Sequence, residues 1–250
     1  MSDYRGFPQS GARSGAAMDL GLRSYMQRVY NYMAVGLGLT GAVAYGAFNM
    51  ALIDASQPPV ASNLNGFGQT LFHGPLMIVL MLATLGLVVT MSFAINRMSL
   101  ATAQLVFWAY AALNGLTFSM LGLVYTGGSI TRVFLITAAT FAATSLYGYV
   151  TKKDLTGFGS FLFMGLIGLI IASVVNIFIG STPMQLALSV LGILLFTGFT
   201  AYDTQAIKAT YYEGDSQLTM GHKAIFGALR LYLDFINLFV SFLRIFGDRR

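Results

Sequence analysis

Seven long apolar runs separated by short polar links dominate this chain of 250 residues. They fall at about residues 33–53, 75–95, 101–125, 132–150, 158–179, 184–207 and 225–246. A helix needs about 20 mostly apolar residues to cross a bilayer, and each run comes close to that length or exceeds it. Water cannot be the solvent of such a chain. Only 9% of its residues are charged and 56% are hydrophobic, with a mean hydropathy of +0.70, against about 25% charged in a soluble domain. The reading is an all-α membrane protein, a bundle of seven transmembrane helices with lipid as its solvent.

The links are short and carry turn chemistry: Asp54-Ala-Ser-Gln-Pro-Pro59, Asn96-Arg-Met-Ser99, Thr126-Gly-Gly-Ser129, Lys152-Lys-Asp-Leu-Thr-Gly157 and Gly180-Ser-Thr-Pro183. The segments 54–74 and 208–223 are longer, and no link is large enough for a soluble domain. Ahead of the first run, Arg5, Arg13, Arg23 and Arg28 stand among Gly, Ser and Pro8. Residues 1–22 are expected to be a polar, disordered tail, and residues 23–250 the seven-helix domain. No secretory signal is expected, since no apolar core follows the basic start before Tyr30. Without cysteine there are no disulfides, thiolate metal sites or thiol nucleophiles. His73 and His222 are assigned to loops on opposite sides, so they cannot share a metal. The net charge of +5 points to loop orientation and anionic lipid, not to nucleic acid.

Lys and Arg on alternate sides orient the bundle. One side holds Arg5, Arg13, Arg23, Arg28, Arg97, Lys152, Lys153, Lys208 and Lys223, whereas the other holds Arg132, Arg244, Arg249 and Arg250. The amino terminus is therefore expected in the cytoplasm and the carboxyl terminus outside. The basic 244–250 tail runs against this count, and would suit a last segment that dips in and returns. Gly36, Gly38, Gly41 and Gly46 in the first run, and Gly165 and Gly168 in the fifth, read as close helix packing. Trp108 and the tyrosines near span ends read as interface anchors.

Ionisable residues inside spans are costly, and therefore functional candidates. Asp203 lies in the sixth run and Asp234 in the seventh, with Arg230 four residues earlier on the same helical face. At a rise of ~1.5 Å per residue, Asp203 lies about 6 Å from the cytoplasmic end of its run, Arg230 about 8 Å and Asp234 about 14 Å. Successive antiparallel helices would bring the two carboxylates together, and Arg97 ends the second span on the same side. A salt-bridge cluster of Arg230 with Asp234 and Asp203 that only fixes packing is the plain reading. Two acids near one arginine exceed what pairing needs, however. A close pair would hold one proton between them, and once deprotonated would offer hard oxygen ligands suited to Ca²⁺.

Four segments resemble the Bax inhibitor-1 family, also called the transmembrane Bax inhibitor motif family. These are Asn114-Gly-Leu-Thr-Phe-Ser119, Tyr147-Gly-Tyr-Val-Thr-Lys-Lys-Asp-Leu155, Tyr202-Asp-Thr-Gln-Ala-Ile-Lys208 and Leu231-Tyr-Leu-Asp-Phe-Ile-Asn-Leu-Phe239. The resemblance covers about residues 22–247 and is nearest the bacterial branch. It implies seven helices with the last one held centrally, and a pH-sensitive calcium leak. It also implies a diacidic sensor at Asp203 and Asp234, and a gating arginine at Arg97. Arg230 is an extra cation relative to some members, and a second candidate for the gate. The resemblance further implies an alternative role, since one bacterial member restrains the membrane protease FtsH.

An intramembrane aspartyl protease is a more remote alternative, because Tyr202-Asp203 and Asp234 resemble the presenilin-type arrangement. Leu231-Tyr-Leu stands before Asp234 where that family has Gly-x-Gly, and no Pro-Ala-Leu follows. Thr126-Gly-Gly-Ser129 has neither the spacing nor the lysine of a phosphate loop. The expectation is a non-enzymatic, pH-gated calcium leak of the bacterial inner membrane. Asp203 and Asp234 would meet the ion, Arg97 or Arg230 would close the path, and no cofactor is expected beyond Ca²⁺ as the permeant ion.

Overall fold

Each apolar run is helical in the computed structural model, which describes residues 10–250 except residue 55, with side chains from Leu20 onward apart from those of residues 61 and 96. Helix is the element that satisfies every backbone N–H and C=O internally, as lipid requires. α1 covers Ser10–Ala51, α2 Gly66–His73, α3 Leu76–Ala94, α4 Leu100–Phe118 and α5 Leu121–Val124. α6 covers Gly127–Val150, α7 Thr156–Ile179, α8 Thr182–Ala209 and α9 Gln217–Phe246. Seven segments are long and apolar enough to cross a membrane: Leu20–Ala51, Leu76–Ala94, Leu100–Val124, Gly127–Val150, Thr156–Ile179, Thr182–Ala209 and Gln217–Phe246. Among the described residues there is no strand, only isolated bridges at Leu52–Leu64 and Tyr125–Arg249.

Side-chain caps set most helix starts. Ser99, Thr126, Ser181 and Ser216 each accept from a backbone N–H in the first turn that follows, the usual role of Ser and Thr there. Thr126-Gly-Gly-Ser129 is therefore the start of α6. Before α7, the Thr156 hydroxyl and N–H hold the Asp154 carboxyl below the usual carboxylate range.

Three features depart from the sequence reading. Residues 10–22 continue α1 and do not form an irregular tail, while residues 1–9 lie outside the described residues. His222 is buried inside α9, and His73 closes α2. Close packing also explains fewer glycines than expected. In α1 a Cβ on Gly36 would meet Phe107, whereas on Gly38, Gly41 and Gly46 it would meet nothing within 4 Å. Gly168 is equally open, and Gly165 lies against Leu195. The tight approaches lie elsewhere. A Cβ on Gly148 would stand 2.2 Å from the Ala201 carbonyl oxygen, and on Gly115 2.7 Å from that of Thr40.

α9 is the most enclosed span and packs against α1, α4, α6 and α8. Its buried residues run from Gly221 to Leu243. By contrast α3 and α7 expose most of their apolar surface, as lipid-facing helices do. Tyr232 pins α9 to α1 and α4. Its hydroxyl lies 2.7 Å from Thr40 Oγ1, which in turn lies 2.9 Å from the Ala111 carbonyl oxygen.

The carboxyl terminus is held on the side opposite the start of α1. α9 is one unbroken helix of 30 residues, about 45 Å long, so the alternative of a segment that dips in and returns is overturned. Beyond it the chain folds onto the link between α5 and α6. Thr126 N–H donates to the Asp248 carbonyl at 3.1 Å, and Arg250 N–H to that of Val124 at 3.0 Å. Asp248 also pairs with Arg132 at 2.9 Å. Within the basic tail, Arg250 Nε donates to the Tyr125 carbonyl at 3.2 Å.

Candidate functional site

α8 and α9 run antiparallel in a register that sets Asp203 beside Arg230, Ile207 against Gly227 and Ser241 against Gly192. Asp203 and Asp234 are both 5% exposed, and their carboxyl groups lie close enough to affect each other's ionisation. The two carboxyl groups that the sequence places on facing helices are therefore neighbours. The partner of Arg230 differs from the expected one. Arg230 forms a two-pronged bridge to Asp203, with Nε 3.1 Å from Oδ2 and Nη2 on Oδ1. It makes no ion pair with Asp234 among the described residues.

Side-chain direction explains this correction. Helical side chains lean toward the helix amino terminus, so the Arg230 stem points away from Asp234 and toward the end where Asp203 lies. A long cationic side chain also gains by keeping its head near water, and Arg230 retains 31% side-chain exposure. The Tyr202 ring sits 6.0 Å from the guanidinium.

Asp234 is left in an unusual position. Its Oδ2 is buried and has no hydrogen-bond partner. A buried polar atom without a partner is rare in folded proteins and is therefore a functional candidate. Arg97, the other gating candidate, lies on a short 3-10 turn, Ile95–Arg97, packed near α9. It is exposed and makes no ion pair among the described residues. The site as described therefore brings Asp203, Asp234 and Arg230 together and leaves Arg97 outside.

Hydroxyl and amide groups that the sequence reading passed over hold this arrangement. Thr204 Oγ1 lies 2.9 Å from Ser145 Oγ on α6, and Ser145 Oγ 2.6 Å from the Tyr30 hydroxyl on α1. Gln205 accepts from Leu155 N–H and donates to the Lys153 carbonyl, each at 2.8 Å, fastening the α6–α7 link to α8. Lys208 Nζ donates to the Tyr149 carbonyl at 2.8 Å. The run Tyr202–Lys208 thus spends nearly every polar side chain on a neighbouring helix. The signal was present in the sequence as consecutive polar residues inside an apolar run. Their partners were not.

Among the described residues, no group of three or more His, Cys, Asp or Glu is placed to hold a resident metal ion. The two aspartates offer at most a weak, partial oxygen set, far from the six to eight ligands a tight calcium site uses.

The family described as "Inhibitor of apoptosis-promoting Bax1" matches residues 22–250. The inner membrane protein YbhL of Escherichia coli K12 is 43% identical over 233 residues, 92% of this chain and 94% of that protein. An uncharacterised protein of Rickettsia prowazekii is 45% identical over 234 residues, 93% of this chain and 92% of its own. One of Caulobacter vibrioides is 43% identical over the whole of both chains. Matched over residues 22–250 and at such identity, the chain belongs to the Bax inhibitor-1 family.

Proposed function

We propose that this multi-pass membrane protein is a passive, pH-controlled leak for calcium in the inner membrane, with its amino terminus in the cytoplasm. The observation that carries the reading is the buried, unpartnered Asp234 Oδ2 beside a second aspartate already occupied by Arg230. One arginine cannot satisfy two carboxylates, so the pair is suited to one further positive species. At low pH that species is a proton held between the acids. At higher pH the proton leaves, and the free oxygens suit a hard divalent cation.

Arg230 is the closed-state latch in this mechanism, tying α9 to α8 through Asp203. A cation arriving at the deprotonated pair competes with the guanidinium, and its passage requires the bridge to loosen. Downhill flow needs no energy source, in keeping with a site built from two acids and one base. Positive charge concentrated on the amino-terminal side supports the orientation.

Calcium flux into vesicles reconstituted with the full chain, measured across pH, tests the proposal. The expected result is a leak that rises with pH and loses that dependence in Asp203→Asn and Asp234→Asn. A leak with the same pH profile in both variants would leave the cluster a packing device and overturn the reading.

A further inference from the structure

α1 and α6 both pack on α9, and a cleft of about 630 Å³ opens between them. Met33 and Phe141 form its inner end, and Arg23, Gln27 and Tyr149 its outer end. From Arg23 to Met33 is ten residues along α1, about 15 Å, which is half of the ~30 Å hydrocarbon thickness of a bilayer. The cleft is therefore about as long as one leaflet is thick.

The charge distribution along the cleft is one-sided. Its deep part is apolar except for the Tyr30–Ser145 hydroxyl pair, and these two groups are already satisfied by each other and by Thr204. At the mouth Arg23 is exposed and makes no ion pair among the described residues. Lys208 lies behind the Tyr149 ring, 4.9 Å from its centroid, and Lys152 and Lys153 follow directly after α6. Among the described residues, no carboxylate lines the cleft. An occupant must be apolar over one leaflet's depth and anionic at the end near the amino-terminal side.

We infer that the α1–α6 cleft is a binding site for an anionic phospholipid of the leaflet on the amino-terminal side, one acyl chain lying between Met33 and Phe141 and the phosphate facing Arg23. The acyl chain fills a gap that no protein side chain closes. This site is independent of ion passage, although its inner wall, Ser145, is hydrogen-bonded to the residue beside Asp203.

Native mass spectrometry of the full chain, purified in detergent and offered phosphatidylglycerol and phosphatidylcholine in equal amounts, tests the assignment. The wild-type protein should retain one phosphatidylglycerol in preference. Arg23→Gln should weaken that preference about fivefold, the factor one basic residue contributes at an anionic surface. Ala142→Phe, which fills the cleft from α6, should abolish retention. Its melting temperature without lipid reports whether it folds, and Leu146→Trp on the same wall replaces it if it does not. Equal retention of the two lipids by the wild type would overturn the inference, as would undiminished retention in a folded cleft-filled variant.

Discussion

Arg230 reaches across to Asp203 on the neighbouring helix and leaves Asp234, one turn along its own helix, without that cation. The i, i+4 spacing that suggests an intrahelical pair is real, but the fork closes between helices. This makes the bridge a fastening of α8 to α9. It also makes Asp203 the acid that loses its partner when the arginine is removed.

Arg230→Ala should therefore lower the melting temperature in detergent, and Asp203→Asn in the same chain should restore more of it than Asp234→Asn does. Breaking a buried pair by removing one partner costs about 3–5 kcal/mol. The partial exposure of Arg230 puts this case at or below the lower end. Better rescue by Asp234→Asn would reassign the bridge.

The two aspartates should differ in permeation. Asp203→Asn weakens the latch and should raise calcium flux at low pH, where the wild type is closed. Asp234→Asn removes the unpartnered carboxylate and should lower flux at high pH. Vesicle flux at several pH values separates the variants, and identical profiles would argue against distinct roles.

Arg97 is exposed on a turn and unpaired among the described residues. Arg97→Ala should leave the melting temperature close to wild type, since surface changes away from special features stay within about 0.5 kcal/mol. Its flux should match wild type at every pH. A higher leak at low pH in this variant would give Arg97 the gating role.

Tyr232→Phe removes the hydrogen bond to Thr40 while Thr40 keeps carbonyl acceptors at Gly36 and Ala111. The loss should be about 1 kcal/mol, the usual net worth of one hydrogen bond. Thermal melting checks this, and should show a smaller change than for Arg230→Ala.

Gly148→Ala should push α6 off α8, because the new methyl would meet the Ala201 carbonyl oxygen at 2.2 Å. Overpacking of this kind costs about 1–3 kcal/mol. Gly38→Ala and Gly41→Ala, with open space around each, should melt at or above wild type. Equal effects at all three positions would contradict the packing described.

The number of spans, the approximate limits of all but the first, and the ionisable residues within them were legible in the sequence alone. Lipid forces each backbone to bond within its own helix, so hydropathy by itself determines the elements. The approach of Asp203 and Asp234 followed from two spans that are neighbours in sequence and therefore antiparallel. The partner of Arg230 did not, because a spacing of four identifies a shared face but not the direction in which a long side chain leans. The roles of Ser145, Gln205 and Tyr30 depend on the rotation of α1, α6 and α8 about their axes, which apolar runs that are hydrophobic all round leave open. The same uncertainty made Gly38, Gly41 and Gly46 look like packing contacts, when of the four glycines expected to pack in the first run only Gly36 turns toward a neighbour. Tertiary structure decided these matters, because helix rotation and register are set by which polar groups find partners in a medium that offers none.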